Sequence, residues 1–271
     1  MGKKITKLIL AILILFSHTA WTQDLKVFFL DVGEGEAIYF ETAKHKILVD
    51  SGNLITGLKV VKFLKKRGVD QLDALIITHP HPDHMGGIFH VVQQIDIKAR
   101  FDNGQSLSQE KDDLYRWYIE LFRNNNYQAL SAGDQLQFGD IKLQVLSPNK
   151  LSGNWNQDSL VIKVIHNDIT LLLMADAGIA TENKLLNSKV AVKADILKIG
   201  HHGSLGTSSA DFLDSVLPKY AVISTNKNNL RGYPNKQVIK RINQKNIQLF
   251  YTYQHGNIVF KSDGNKVIVI E

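Results

Sequence analysis

The chain has 271 residues, 44% of them hydrophobic and none of them cysteine, with 32 Lys and Arg against 26 Asp and Glu. That composition excludes a disordered chain, a disulfide-stapled miniprotein and any thiolate metal site. The formal charge of +6 falls to +3 when Lys3, Lys4 and Lys7 are set aside (29 against 26), too mild an excess to mark a nucleic-acid binder by itself.

Residues 1–22 join a basic start to an apolar core at 8–16 and an Ala20-Trp21-Thr22 stretch suited to cleavage before Gln23. The apolar run is far below the ~20 residues of a spanning helix, so the segment reads as a secretory signal peptide. Residues 23–271 are then one domain, secreted or periplasmic. The alternative is an uncleaved anchor that holds the domain at a membrane face; a lipoprotein anchor is excluded because there is no cysteine to carry it.

Apolar runs bounded by turn residues predict strands at 25–32, 37–41, 46–50, 74–78 and 99–103, with helices near 57–67, 83–93 and 109–124. Residues 124–136 read as a loop. A second set of strands follows at 141–147, 159–166, 169–175, 195–199, 220–224 and 256–262, with helices near 179–186, 210–215 and 236–244. Lys59, Lys62, Lys65, Lys66 and Arg67 crowd one predicted helix and read as its solvated face. Lys227, Arg231, Lys236, Lys240, Arg241 and Lys245 crowd the C-terminal part, where either a solvated face or attraction of phosphate fits.

Chemistry concentrates in His79-Pro80-His81-Pro82-Asp83-His84, directly after the strand at 74–78. Neutral imidazole is the commonest zinc ligand, and a carboxylate beside it suits a centre that also holds water. The prolines bias His79 and His81 toward extended geometry, so these two can face one ion. Asp83 and His84 open the next helix and can face a second. A histidine-rich surface loop would give the same composition, but it would not need the strand-then-helix context. Asp50, closing the strand ILVD, reads as a carboxylate that orients a ligand imidazole. His166, before an Asn167-Asp168 turn, reads as a surface residue of a hairpin, and His18, His45, His90 and His255 have no context for chemistry.

HxHxDH after a strand resembles the signature of the metallo-β-lactamase-fold hydrolases. FLDVGEGEA (29–37), ILVDSG (47–52), THPHPDHMGG (78–87), NQDSLVI (156–162), LLLMAD (171–176), LKIGHHGS (197–204) and NNLRGYP (228–234) narrow the likeness to the ComEC-like branch, the hydrolase domain of competence proteins and its stand-alone relatives. The resemblance implies an α/β four-layer αββα sandwich with a metal cleft where the two sheets meet. Departures are Glu34 and Glu36 where the branch usually has Gln and Asp, Ala175 where a Gly usually precedes the Asp, and Tyr233 where a His usually precedes the late Pro.

By the same resemblance Asp176 bridges two divalent ions, one also held by His79 and His81, the other by Asp83, His84 and one of His201 or His202. The remaining member of that pair faces substrate or donates a proton. Asp176 as a mere helix cap is the competing reading. Asn156 stands near the place where many members carry a third histidine, with Ser159 beside it, and Lys198, Ser204 and Tyr233 complete the set around metal or substrate. An all-N,O ligand set favours Zn²⁺, with Mn²⁺ as the alternative. Two ions imply a bridging hydroxide that attacks phosphorus or carbonyl carbon. The expected activity is an exported phosphodiesterase or nuclease acting on nucleic acid. A metallohydrolase of another ester, lactone or lactam and a non-catalytic DNA-binding module remain as alternatives, and no protein partner can be inferred.

Overall fold

The computed structural model describes residues 23–106, 113–123 and 126–270. The segment read as a signal peptide lies outside them, as do parts of the helix expected at 109–124. No helix among the described residues is long and apolar enough to cross a membrane.

In chain order the strands are β1 (Leu25–Phe29), β2 (Ile38–Glu41), β3 (Lys46–Val49), β4 (Gln71–Ile76), β5 (Asp96–Asp102), β6 (Tyr127–Ala129), β7 (Gln135–Phe138), β8 (Ile141–Ser147), β9 (Val161–His166), β10 (Ile169–Leu173), β11 (Ile196–Lys198), β12 (Tyr220–Ile223), β13 (Gln248–Tyr251), β14 (Ile258–Ser262) and β15 (Val267–Ile270). They form an eight-stranded sheet in the order β15-β14-β1-β2-β3-β4-β5-β6 and a seven-stranded sheet in the order β13-β12-β11-β10-β9-β8-β7. The helices are α1 (Gly57–Lys66), α2 (Pro82–Met85), α3 (Ile88–Gln94), α4 (Asp113–Phe122), α5 (Ile179–Asn187), α6 (Ala210–Val216), α7 (Lys236–Gln244) and the single turn α8 (Thr252–His255).

Phe29, Phe40, Ile47, Ile76, Leu143, Ile162, Leu171, Ile196, Val222 and Phe260 fill the space between the sheets. The outer face of the first sheet is covered by Val60, Leu64, Ile88, Val91, Tyr118 and Phe122 from α1, α3 and α4. That of the second is covered by Leu185, Phe212, Val216, Val238 and Ile242 from α5, α6 and α7. Strands buried on both faces read as continuous apolar runs, which is why ILV, ALI, LLL and YAVI carry no polar alternation. The result is the αββα sandwich implied by the sequence.

Four expectations are corrected. The helix expected over 83–93 is broken into α2 and α3 at Gly86-Gly87. A Cβ on Gly87 would run into the Ser51 carbonyl oxygen, so the chain can pass there only as glycine. Residues 124–136 are not all loop, because β6 and the start of β7 lie within them. The strand predicted at 256–262 belongs to the first sheet, paired antiparallel with β1 (Phe29 opposite Ile258), rather than to the second set. His166 is wholly buried, its Nδ1 2.8 Å from Ser262 Oγ on β14, rather than on the surface of the β9–β10 hairpin.

Candidate metal centre

Each candidate ligand sits where a strand of one sheet ends. β4 runs out into Thr78 and His79, and α2 starts with Pro82 at its first turn, where the missing N–H costs nothing. From the second sheet, β10 leads to Asp176 and β11 to a 3-10 turn, Gly200–Gly203. Two groups result: His79, His81 and Asp176, and beside them Asp83, His84 and His202.

Asp176 stands between the groups and divides its oxygens. Oδ2 lies 3.6 Å from His79 Nε2 and 3.6 Å from His201 Nε2. Oδ1 lies 3.2 Å from His84 Nε2 and 3.5 Å from His202 Nε2. His202 Nε2 is also 3.5 Å from Asp83 Oδ2, and His79 Nε2 is 2.9 Å from His81 Nδ1. Asp176 does not cap the following helix, whose N-cap is Gly178 with no side-chain cap bond.

The groups that hold these side chains fix which nitrogen is free. Asp50 Oδ2 lies 2.7 Å from His84 Nδ1 and accepts from Thr78 Oγ1 at 2.8 Å, while Oδ1 accepts from the Thr78 N–H at 2.8 Å. His202 Nδ1 lies 2.7 Å from the Ser224 carbonyl oxygen, an acceptor that places the proton on Nδ1. In both imidazoles Nε2 is thereby left to face the centre, the arrangement of ligand histidines in zinc proteins. Asp83 Oδ2, His84 Nε2, Asp176 Oδ1 and His202 Nε2 are buried without a hydrogen-bond partner, as are Asn156 Oδ1 and Ser159 Oγ. Buried polar atoms left unpaired cost free energy. A cluster of them converging from both sheets, with carboxylate and imidazole alternating, fits two divalent cations.

Charge pairing runs through the site's own residues. Burial would lower His84, but the Asp176 and Asp50 carboxylates outweigh it and raise His84 well above the usual imidazole range. Burial would raise Asp176 and Asp83, but the neighbouring His84 and His202 imidazoles outweigh it and hold both well below the usual carboxylate range. Burial, then the neighbouring His79, brings His81 down to about 4, and burial lowers His201. Neutral imidazole and ionised carboxylate are the forms that ligate.

Backbone strain concentrates here. Asp50, Ala175, His201 and His202 have φ of 57°, 46°, 43° and 52°, left-handed conformations that side chains with a Cβ adopt at a cost of about 1–2 kcal/mol. The Gly usually found before the bridging Asp therefore has a conformational reason, and Ala175 bears the cost of its absence.

A cleft of roughly 270 Å³ opens over the centre, lined by His81, Pro82, Asp83, Asn156, His201, Arg231 and Tyr233. Arg231 leans across it, Nε 3.6 Å from Glu34 Oε1 and Nη1 3.8 Å from Asp83 Oδ2. The Tyr233 ring is 5.3 Å from that of His201, and Trp155 is 5.3 Å from His81 on the other side. Within the NQDS motif, Asp158 anchors its own loop by accepting from Ser152 N and Gly153 N (both 2.8 Å), while Asn156 lines the cleft and Ser159 is buried with its Oγ unpaired.

Other candidates behave differently. Lys198 is fully buried, paired with Glu36 and donating to the Ile199 carbonyl at 2.9 Å, so it does not reach substrate. Ser204 is 7% exposed and continues the His201-His202 turn, its N–H donating to the His201 carbonyl at 2.9 Å. The C-terminal basic cluster is partly committed: Arg241 donates to the carbonyls of Ser208 and Thr207, and Lys245 pairs with Asp214. Thr78, Ser224 and Trp155 escaped the sequence reading, although Thr78 precedes the histidine run directly and could have been found.

A centre of paired His/Asp groups at the strand ends of an αββα sandwich defines a metallohydrolase architecture. The sequence pattern of the metallo-beta-lactamase superfamily matches residues 30–225, and the chain belongs to that superfamily. It is 29% identical over 270 residues to ComE operon protein 3 of Bacillus subtilis (strain 168), a ComEC-type competence protein, covering 92% of this chain and 34% of that protein. It is 30% identical over 114 residues to exodeoxyribonuclease WalJ of Streptococcus pneumoniae serotype 2, covering 41% of this chain and 39% of that protein. The chain thus spans about a third of the competence relative it matches. The crystal structure of the metallo-beta-lactamase fold protein YhfI from Bacillus subtilis superposes with a TM-score of 0.59 at 13% identity, over 89% of this chain and 100% of that one, a likeness of fold.

Proposed function

We propose that this protein is a binuclear metal-dependent phosphodiesterase that cleaves nucleic acid outside the cell membrane. The observation that carries the reading is the division of the Asp176 carboxylate, one oxygen toward His79 and the other toward His84 and His202. His79, His81 and Asp176 would hold one cation, and Asp176, Asp83, His84 and His202 the other, with Zn²⁺ the first candidate and Mn²⁺ the second. Divalent cations there would act as Lewis acids that lower the pKa of water and offset charge developing on the attacked group.

The chain's own residues supply orientation. Asp50 and the Ser224 carbonyl set the tautomers of His84 and His202. Arg231, 55% exposed at the cleft mouth, offers a planar donor fork to a phosphoryl oxygen, the geometry in which arginine binds phosphate. Asn156 presents a further polar side chain to the cleft. Support for a nucleic-acid substrate comes from the competence and exodeoxyribonuclease relatives. Support for export comes from the basic-then-apolar pattern of residues 1–22.

The test is digestion of single- and double-stranded DNA, RNA and bis-p-nitrophenyl phosphate with Zn²⁺ or Mn²⁺ added. Cleavage of DNA that falls steeply with salt, while the small diester is little affected, supports the reading through counterion release. Cleavage of lactone or carboxylic esters alone refutes it and makes Tyr233 the mark of a changed pocket. N-terminal sequencing of the mature protein, expected to begin near Gln23, tests export. Recovery of the intact Met1 form in membranes would replace export with anchoring.

A further inference from the structure

We infer that His201 is a metal ligand of the first position, so that the adjacent histidines of the Gly200–Gly203 turn serve two different ions. The inference rests on the binuclear reading above. As grouped by distance, the two positions are unequal. The second has Asp83, His84, His202 and Asp176 Oδ1, whereas the first has His79, His81 and Asp176 Oδ2 and no further imidazole.

His201 meets that deficit. Its Nε2 lies 3.6 Å from Asp176 Oδ2, the same separation as His79 Nε2 from the same oxygen. Donors bound about 2.0–2.1 Å from a tetrahedral ion lie about 3.3 Å from one another, so both contacts are near that spacing. His201 also lines the cleft together with His81 and Asn156.

The backbone gives an independent reason. Consecutive residues in an extended strand point to opposite faces. Here His201 and His202 both take left-handed conformations, φ 43° and 52°, and both Nε2 atoms come to one carboxylate, one to each oxygen. The turn is held by the His201 N–H donating to the Ala175 carbonyl at 2.8 Å, one residue before Asp176. Gly200 has no room for a Cβ, which would meet the Ala177 carbonyl oxygen. The strained dipeptide and the carboxylate are thus fastened to each other on both sides. His202 is buried and anchored through Nδ1 to Ser224, whereas the His201 side chain is 22% exposed and packs edge-on against Tyr233, free to draw closer to an ion. A histidine that only touched substrate would need neither the second left-handed residue nor the shared oxygen.

The experiment titrates Co²⁺ into the full chain, wild type and His201→Asn, with absorption spectra and a chromophoric chelator reporting affinity. Asparagine tolerates left-handed backbone, so the turn should survive, and circular dichroism checks that it does. The expected result is two ions bound by wild type. In His201→Asn one ion should be weakened at least tenfold, with a changed ligand-field band, and the other left within twofold. His201→Asp, which supplies an anionic donor at the same position, should recover most of the loss. Two ions bound by His201→Asn with unchanged affinities and spectrum would overturn the inference and leave the binuclear reading standing. Wild type that binds no Co²⁺, Zn²⁺ or Mn²⁺ would overturn that reading, and the inference with it.

Discussion

Replacing Asp50 by Asn is the sharpest probe of how the second metal position is built. Asp50 accepts at three points: the Thr78 N–H and hydroxyl at 2.8 Å each, and His84 Nδ1 at 2.7 Å. A carboxamide has one acceptor oxygen. If its NH₂ faces Thr78, a donor meets the Thr78 N–H; if it faces His84, Nδ1 must become an acceptor and the ring proton moves to Nε2, the atom that faces Asp176. That second arrangement blocks ligation in the way a wrong tautomer disables a catalytic histidine. Loss of such an orienting partner typically weakens metal binding 10–100-fold, about 1.4–2.8 kcal/mol. Asp50→Ala would leave the Thr78 N–H and His84 Nδ1 unpaired at about 1–3 kcal/mol each, so the asparagine variant separates binding from folding better. Competition titration against a chelator is the assay, with one of two ions expected to weaken and the other to hold. Unchanged affinity for both ions in a folded Asp50→Asn protein would refute the reasoning.

Asp176→Asn should lower activity at least a hundredfold and weaken both ions, since one carboxylate serves both groups; elemental analysis showing two tightly held ions would contradict the bridge. Ala175→Gly should raise stability by about 0.5–1 kcal/mol, the left-handed strain at φ 46° less the entropy glycine adds to the unfolded chain, and an unchanged or lowered melting temperature argues otherwise. In chelated protein, stability should fall as pH drops from 6.5 toward 4. Burial lowers His81, His201 and His166 in the folded state, His81 to about 4, so the unfolded chain binds more protons across that window. His84 is shifted upward and opposes this fall only at the top of the window, while the unfolded imidazole finishes taking up its proton just below pH 6.5; denaturant melts that stay level between the two pH values would count against this. Lys198→Met should cost about 3–5 kcal/mol by stranding the buried Glu36 carboxylate, whose oxygens have no hydrogen-bond partner, and Glu36→Gln added to it should recover much of the loss in a thermal melt.

The parts of the fold that read correctly include elements with a clear apolar period, alternate residues in a half-buried strand and helical spacing in an amphipathic helix. β8, from Ile141 to Ser147, and α7, from Lys236 to Gln244, appear at their predicted bounds. β6 and β7 escaped because they are sheet edges, and YQA and QLQF carry the polar residues that edges tolerate. The pairing of β14 with β1 joins residues more than two hundred positions apart, and no local pattern encodes it. The burial of His166 follows from that pairing, because the wall that covers it, Ser262, comes with β14. At the centre, the candidate side chains were legible because each follows the end of a strand, directly or in the turn or short helix after it. Which oxygen of Asp176 each histidine meets depends on four left-handed residues, only one of them marked in the sequence, by the alanine at 175.

A centre drawn from two sheets has to keep its halves in register, and the buried Glu36–Lys198 pair stands where that demand falls. Lys198 is the last residue of β11, two positions before the glycine that opens the His201-His202 turn. Glu36 lies between β1 and β2, its N–H donating to the Asp83 carbonyl at 3.1 Å and its own carbonyl accepting from Gly52 at 2.7 Å, close to Asp50 in the chain. One ion pair therefore ties the second sheet's histidine turn to the loops of the first sheet that carry Asp83 and Asp50. Apolar side chains of similar volume would stabilise the interior as well or better. They would not carry the opposite charges that hold Lys198 of one sheet against Glu36 of the other, and a shift of about 1 Å between ligand groups is enough to spoil a site whose donors must meet within a few tenths of an ångström.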